Sequence, residues 1–129
     1  MVAAARARDP HVGRALALLH ADPARNWAVG TLAQETGLSR SALADRFVAL
    51  IGEPPMQYLT GWRMALAAQA LSTGNDAVAR IAERVGYESE AAFNRAFKRE
   101  FGTPPAAWRR AARVTARMEV ARPVEAPGA

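Results

Sequence analysis

Val12, Ala15, Leu16 and Leu19 recur at spacings of three and four residues, which is the apolar stripe of a helix lying on a core. Asp9 followed by Pro10 supplies an N-cap and a proline at the first helical position, and the stripe stops before Asp22-Pro23. A second, short helix is predicted from Val29 to Thr36, closed by Gly37; its start is weakly marked, because Ala28 offers no capping side chain. Ser39 caps a third helix, Arg40 to Ile51, with Leu43, Phe47 and Leu50 on one face and Gly52 at its end. Pro54-Pro55 forbids continuation. A longer helix follows over about 56–72, with Leu59, Trp62, Leu66 and Ala70 as its buried stripe, Gly74 as its stop and a costly Gly61 inside it.

The pattern then starts again. Asp76 is the expected cap of a fifth helix carrying Val78, Ile81, Ala82 and Val85 and ending at Gly86. Ser89 caps a sixth, in which Phe93, Phe97 and Phe101 share a face, and Gly102-Thr103-Pro104-Pro105 leads to a short seventh helix holding Trp108. The chain beyond about Val114 has no core-forming pattern, so residues 111–129 are expected to be a basic, flexible tail. No segment alternates as a strand does, so the fold class is all-α with about seven helices.

Leu32-Ala33, Gly37, Ser39, Leu43, Phe47, Gly52, Pro54-Pro55 and Tyr58 match Ile81-Ala82, Gly86, Ser89, Phe93, Phe97, Gly102, Pro104-Pro105 and Trp108 in order, at an offset of 49 before the turn and 50 after it. One unit occurs twice. Each copy is a short helix with a small packing residue, a turn containing glycine, and a longer helix with one apolar face, the layout of a helix-turn-helix. The two copies span about 29–51 and 77–101, and a linker helix of that length reaches ~25 Å. That suits two recognition helices held about one DNA turn, ~34 Å, apart.

Composition narrows the chemistry. The 129 residues include no cysteine and two histidines, His11 and His20, so a metal centre or a disulfide has almost no ligands, and no nucleophile motif accompanies the histidines. They read as a surface residue and a helix-end residue. No cofactor is expected. Sixteen of the seventeen basic residues are arginine, and between positions 95 and 117 Arg95, Lys98, Arg99, Arg109, Arg110, Arg113 and Arg117 face only Glu100 as an acid. A basic strip of this kind points to a polyanion, with nucleic acid ahead of an anionic membrane surface. No signal peptide or uncharged apolar run long enough to span a bilayer is present, and the expected setting is the cytoplasm. The phenylalanines, Trp62 and Trp108 have helical spacing and read as core, not as a base-stacking platform. Arg63 reads evenly as a phosphate contact or as a bridge to an acid between the two units.

The run RMALAAQAL, Arg63 to Leu71, followed by RIAERVGYESEAAFNRAFKREFGTPPAAWR, Arg80 to Arg109, strongly resembles the C-terminal DNA-binding domain of AraC/XylS-family bacterial transcription regulators, over about residues 10–110. That resemblance implies two helix-turn-helix subdomains in adjacent major-groove segments of double-stranded promoter DNA, transcription regulation, by activation or by repression, of a kind in which family members often contact RNA polymerase, a monomeric isolated domain and no enzymatic activity. Carried over by position, Ser41, Ala44 and Asp45 of the first recognition helix and Glu90, Ala91, Asn94 and Arg95 of the second would face bases, while Ser39, Arg40, Arg46, Lys98 and Arg99 would lie nearer phosphates. The first of these faces is small and partly acidic, which departs from the family pattern. It keeps open an alternative, a protein-interaction module in which one helix-turn-helix reads DNA and the other contacts polymerase or a sensor domain. The resemblance is to members with an N-terminal cupin-like sensor domain, so a cut-out of a longer regulator is expected.

Overall fold

The structure is a computed structural model that describes residues 8–121. Seven helices follow one another: α1 Pro10–Ala21, α2 Val29–Thr36, α3 Arg40–Ile51, α4 Pro55–Thr73, α5 Val78–Arg84, α6 Glu90–Phe101 and α7 Pro105–Ala121. No strand occurs among the described residues. The repeated punctuation does what its chemistry predicts. Ser39 and Ser89 accept hydrogen bonds from the backbone N–H groups of Ala42 and Ala92, at 3.1 and 3.0 Å, so α3 and α6 start in the same way. The left-handed residues are Gly37, Gly52, Gly86 and Gly102, two matched pairs with φ between 76° and 99°, a region that side chains other than glycine's rarely enter.

Two cores result. Val12, Leu16 and Leu19 of α1, Leu32 of α2, Leu43 and Phe47 of α3, and Leu59 of α4 close the first. Met64, Ala67 and Leu71 of α4, Ile81 of α5, and Phe93 and Phe97 of α6 close the second. Helix α4 therefore belongs to both units, and this corrects its expected stripe. Trp62, Leu66 and Ala70 are only partly buried, while Met64, Ala67, Ala68 and Leu71 take the inner positions. Met64 lies five residues beyond Leu59, about 140° further round the helix. A helix that changes partners half-way changes its buried face, so a single stripe cannot describe it.

The junction falls at Thr60, Gly61, Trp62 and Arg63. A Cβ added to Gly61 would meet nothing within 4 Å. Gly61→Ala is therefore expected to stabilise the fold by about 0.5–1 kcal/mol, the helix-propensity difference, as measured by urea unfolding. A loss of stability would place an unseen constraint at the junction.

Two further expectations are corrected. Asp76 does not cap α5: the N-cap is Ala77, which makes no side-chain bond, and the Asp76 carboxylate instead pairs with Arg84 at 2.8 Å. Helix α7 is not short and does not end near Val114; it runs to Ala121. Arg109 Nε donates to the Leu71 carbonyl at 3.1 Å, and Arg113 Nη2 to Asn75 Oδ1 at 2.7 Å, which ties α7 to the end of α4. The last part of the expected tail, 122–129, lies outside the described residues.

Candidate nucleic-acid interface

The offset of 50 residues makes the outer faces of α3 and α6 directly comparable. In α6 the inner face is Phe93, Ala96 and Phe97, and the opposite face presents Ala91, Arg95 and Lys98, with Arg99 beside them, all exposed. None of Arg95, Lys98 and Arg99 forms an ion pair among the described residues. Glu90 is exposed in the first helical turn, where a carboxylate is favoured by the helix dipole. Asn94 stands at the edge of this face, half-buried, with its Oδ1 shielded from solvent and lacking a hydrogen-bond partner. Of the expected base-facing residues of α6, Ala91 and Arg95 thus point outward most fully.

In α3, Ser41 and Asp45 are exposed and Ala44 is half-buried, so the expected trio shares one face. Asp45 occupies the place that Arg95 holds in the second unit. Val48 extends the same face and is 43% exposed, an apolar side chain left in water at the place of Lys98. The hydrophobic pattern alone does not single it out, because a valine in a helix reads as core; the repeat offset, which pairs it with an exposed lysine, is the signal that finds it. The two outer faces are thus chemically opposed, small, apolar and acidic on α3, polar and cationic on α6.

The residues expected near phosphates divide. Lys98 and Arg99 are free of ion pairs among the described residues and exposed. Ser39 spends its hydroxyl oxygen on the cap of α3. The Arg40 guanidinium folds back over α2, so close to Gly30 that a Cβ there would stand 2.8 Å from it. Arg46 Nη1 lies 3.5 Å from Asp9 Oδ2, while the other carboxylate oxygen of Asp9 caps α1 through the N–H of His11 and Val12. Arg46 accordingly bridges α3 to the start of α1. The basic strip read from the sequence is also two things: Arg109 and Arg113 bind α4 and its following loop, whereas the cations of α6 face outward.

His11 is exposed at the start of α1 and His20 stands in its last turn, as expected, and both are hydrogen-bonded. His11 Nδ1 donates to the Thr36 carbonyl at 2.8 Å, at the end of α2, and His20 is hydrogen-bonded through Nε2 to the Tyr58 hydroxyl at 2.6 Å, with its ring 4.6 Å from that of Trp62 and tilted by 48°. Arg63 touches neither an acid nor the outer faces. Its Nε donates to the Pro23 carbonyl at 2.7 Å and its Nη2 to the Arg25 carbonyl at 2.9 Å, both in the loop between α1 and α2. No group of three histidines, aspartates or glutamates able to hold a metal occurs among the described residues, and no described helix is long and apolar enough to cross a membrane.

The helix-turn-helix domain family matches residues 32–111, more than half of the chain. An AraC-like transcription regulator of Streptomyces lividans is 52% identical over 102 residues, covering 79% of this chain and 34% of its own. The transcriptional regulator AlkR of Acinetobacter baylyi is 42% identical over 100 residues, 78% of this chain and 33% of its own. The chain thus spans about a third of the length of the curated relatives it matches. Among solved structures, the DNA-binding domain of the global transcriptional factor AdpA, in complex with a target DNA, superposes with a TM-score of 0.77 at 32% identity, covering 81% of this chain and 94% of that one. The C-terminal domain of AraT, a response regulator from Geobacillus stearothermophilus, gives 0.75 at 29% identity, covering 80% and 86%.

Proposed function

The chain belongs to the AraC-type helix-turn-helix family, and from that premise we propose that it binds duplex DNA sequence-specifically for transcription regulation, laying α3 and α6 in adjacent major-groove segments. The observation that carries this reading is the repetition of one unit in a single chain, with matched caps, matched left-handed glycines and an outward helix face in each copy. One polypeptide then does what a symmetric dimer of single units does. On α6, Arg95 reads a base, Ala91 allows close approach, and Lys98 and Arg99 neutralise phosphates; Glu90 and Asn94 flank them. On α3, Ser41, Ala44, Asp45 and Val48 face the base edges, where alanine and valine suit a thymine methyl and a carboxylate suits few positions except near an amino group, that of cytosine above all. Ser39 and Arg40 lie at the rim, and Arg46 contributes by fixing α3 to α1. The chemistry is binding without catalysis, in the bacterial cytoplasm where promoter DNA lies.

Selection of bound sites from random duplex DNA by the purified chain tests this directly. Two preferred segments in one site are expected. An unselective pool, or affinity that anionic vesicles compete away, would contradict it.

A second reading has one observation in its favour: the α3 face holds Asp45 and the exposed Val48 and no outward lysine or arginine of the kind found on α6. In that reading α3 contacts a protein such as RNA polymerase or the remainder of a longer regulator, and α6 alone reads DNA. Asp45→Ala separates the two. If α3 lies in the groove, removing the carboxylate raises affinity for unrelated DNA and blurs preference at one position of the selected site. If α3 faces a protein, DNA binding does not change.

A further inference from the structure

Between the two cores the chain is held together by more than the continuity of α4. Arg63 sits at the junction and points away from both outer faces. Its two hydrogen bonds seize the α1–α2 loop through the carbonyls of Pro23 and Arg25. The same guanidinium lies 5.9 Å from the centre of the Tyr87 ring, which belongs to the α5–α6 turn of the second unit, at the outer limit of a cation–π contact. That turn and that loop are in direct backbone contact: a Cβ on Gly86 would stand 2.9 Å from Ala24 Cα and 3.0 Å from its carbonyl oxygen, as well as 3.1 Å from Arg63 Nη2. Burial draws the Arg63 guanidinium below its ordinary pKa, with Tyr87 opposing the shift, and raises the Tyr87 phenol, with Arg63 opposing it. Both side chains are half-buried.

We infer that Arg63 is a positioning residue, a latch that holds the two helix-turn-helix units in one relative orientation and thereby fixes the separation between the two DNA segments that the chain accepts. The second half rests on the proposed DNA reading; the first does not. The chemistry favours arginine at this place. A planar guanidinium presents several N–H donors in a fixed fork, so it can hold two carbonyls on one side and offer its face to a ring on the other. A lysine carries the charge but not the fork. Without the latch, the units are joined by the Gly86–Ala24 backbone contact and by α4, whose junction contains Gly61, the residue with the least resistance to bending. The consequence for DNA is geometric. Each base pair inserted between the segments moves the second by ~3.4 Å and turns it by ~36°, as follows from a helical turn of ~34 Å and about 10 base pairs. A rigid pair of units loses one set of contacts, and a loose pair follows.

The absence of cysteine from the sequence makes the test direct. Gln34 and Glu83, exposed and equivalent positions on α2 and α5, are changed to cysteine and spin-labelled, and the distance distribution is measured in the free chain for native Arg63, Arg63→Met and Arg63→Lys. The same proteins are titrated with the selected duplex and with duplexes carrying one or two base pairs added between its segments, at fixed salt, with helix content checked by circular dichroism. A narrow distribution is expected with Arg63, and a broadened one in both variants. The spacing penalty should fall from about tenfold or more to about threefold or less, a loss of the order of 1 kcal/mol in discrimination. Unchanged distance widths in both variants would overturn the latch. So would a Lys variant that behaves as native while the Met variant weakens on every duplex equally, since that is the signature of a phosphate contact. A chain that binds no duplex would overturn the DNA reading instead, and the distance widths would still decide whether Arg63 holds the units together.

Discussion

Phe97→Ala should cost about 3–5 kcal/mol of stability, the range for deleting a fully buried aromatic side chain. Phe97 has no solvent exposure and lies among three rings, Phe93 at 5.7 Å, Phe101 at 4.7 Å and Trp108 at 5.7 Å between centroids. Its removal leaves a cavity that α6 and α7 do not readily collapse into, because the Trp108 indole N–H, bonded to Ser72 Oγ, and Arg109 Nε, bonded to the Leu71 carbonyl, hold α7 against α4. Single domains have only about 5–15 kcal/mol in hand, so this is a large part of the total. Because the first core is closed by its own residues, the loss should be local. Amide hydrogen exchange should show protection falling in α5, α6 and α7 while α1, α2 and α3 keep theirs. A cost below about 1 kcal/mol would mean that the ring stack is not the second core. Equal loss of protection in both units would mean that the two cores melt as one.

Arg95→Ala is the most informative change on the outer faces. Arg95 follows buried Phe93 by two residues and precedes buried Phe97 by two, which turns it directly away from the core, and it has no ion-pair partner among the described residues. An arginine so placed can make a paired hydrogen bond to O6 and N7 of a guanine, worth about 1–3 kcal/mol of discrimination. The mutant is measured on the selected site, on versions with each guanine replaced, and on unrelated DNA at one salt concentration. If Arg95 reads a base, the selected site loses affinity, one guanine replacement ceases to matter, and unrelated DNA is affected far less. Equal loss on every sequence, with a salt slope lower by about one, would move Arg95 to the phosphate backbone.

Much of this architecture is legible before any coordinates. Helix boundaries follow from Ser39, Ser89, the four left-handed glycines and the proline pairs, because each of these residues restricts its own backbone or satisfies a neighbour's N–H. The repeat offset carries the placement of Asp45 opposite Arg95. The rest is not legible, for separate physical reasons. The stripe of α4 fails because its inner face turns from one core to the other between Leu59 and Met64, and periodicity assumes one partner. The bridging of Arg46 to Asp9, and of Arg63 to the carbonyls of Pro23 and Arg25, joins residues far apart in the chain. A carbonyl acceptor in particular has no side-chain signature, so Arg63 looked in the sequence like a residue in need of an acid or a phosphate. The length of α7 has no signal in the sequence, because its outer half, from Val114 on, is exposed and carries no core pattern.

The most direct test of the two-segment reading is quantitative footprinting of the chain on its selected duplex, with stoichiometry by sedimentation, repeated after scrambling each segment in turn. One chain per duplex is expected, protecting two successive major-groove segments about one helical turn apart, ~34 Å, with affinity falling when either segment is scrambled. Protection confined to one segment and indifference to the other, or a dimer needed to cover both, would contradict it.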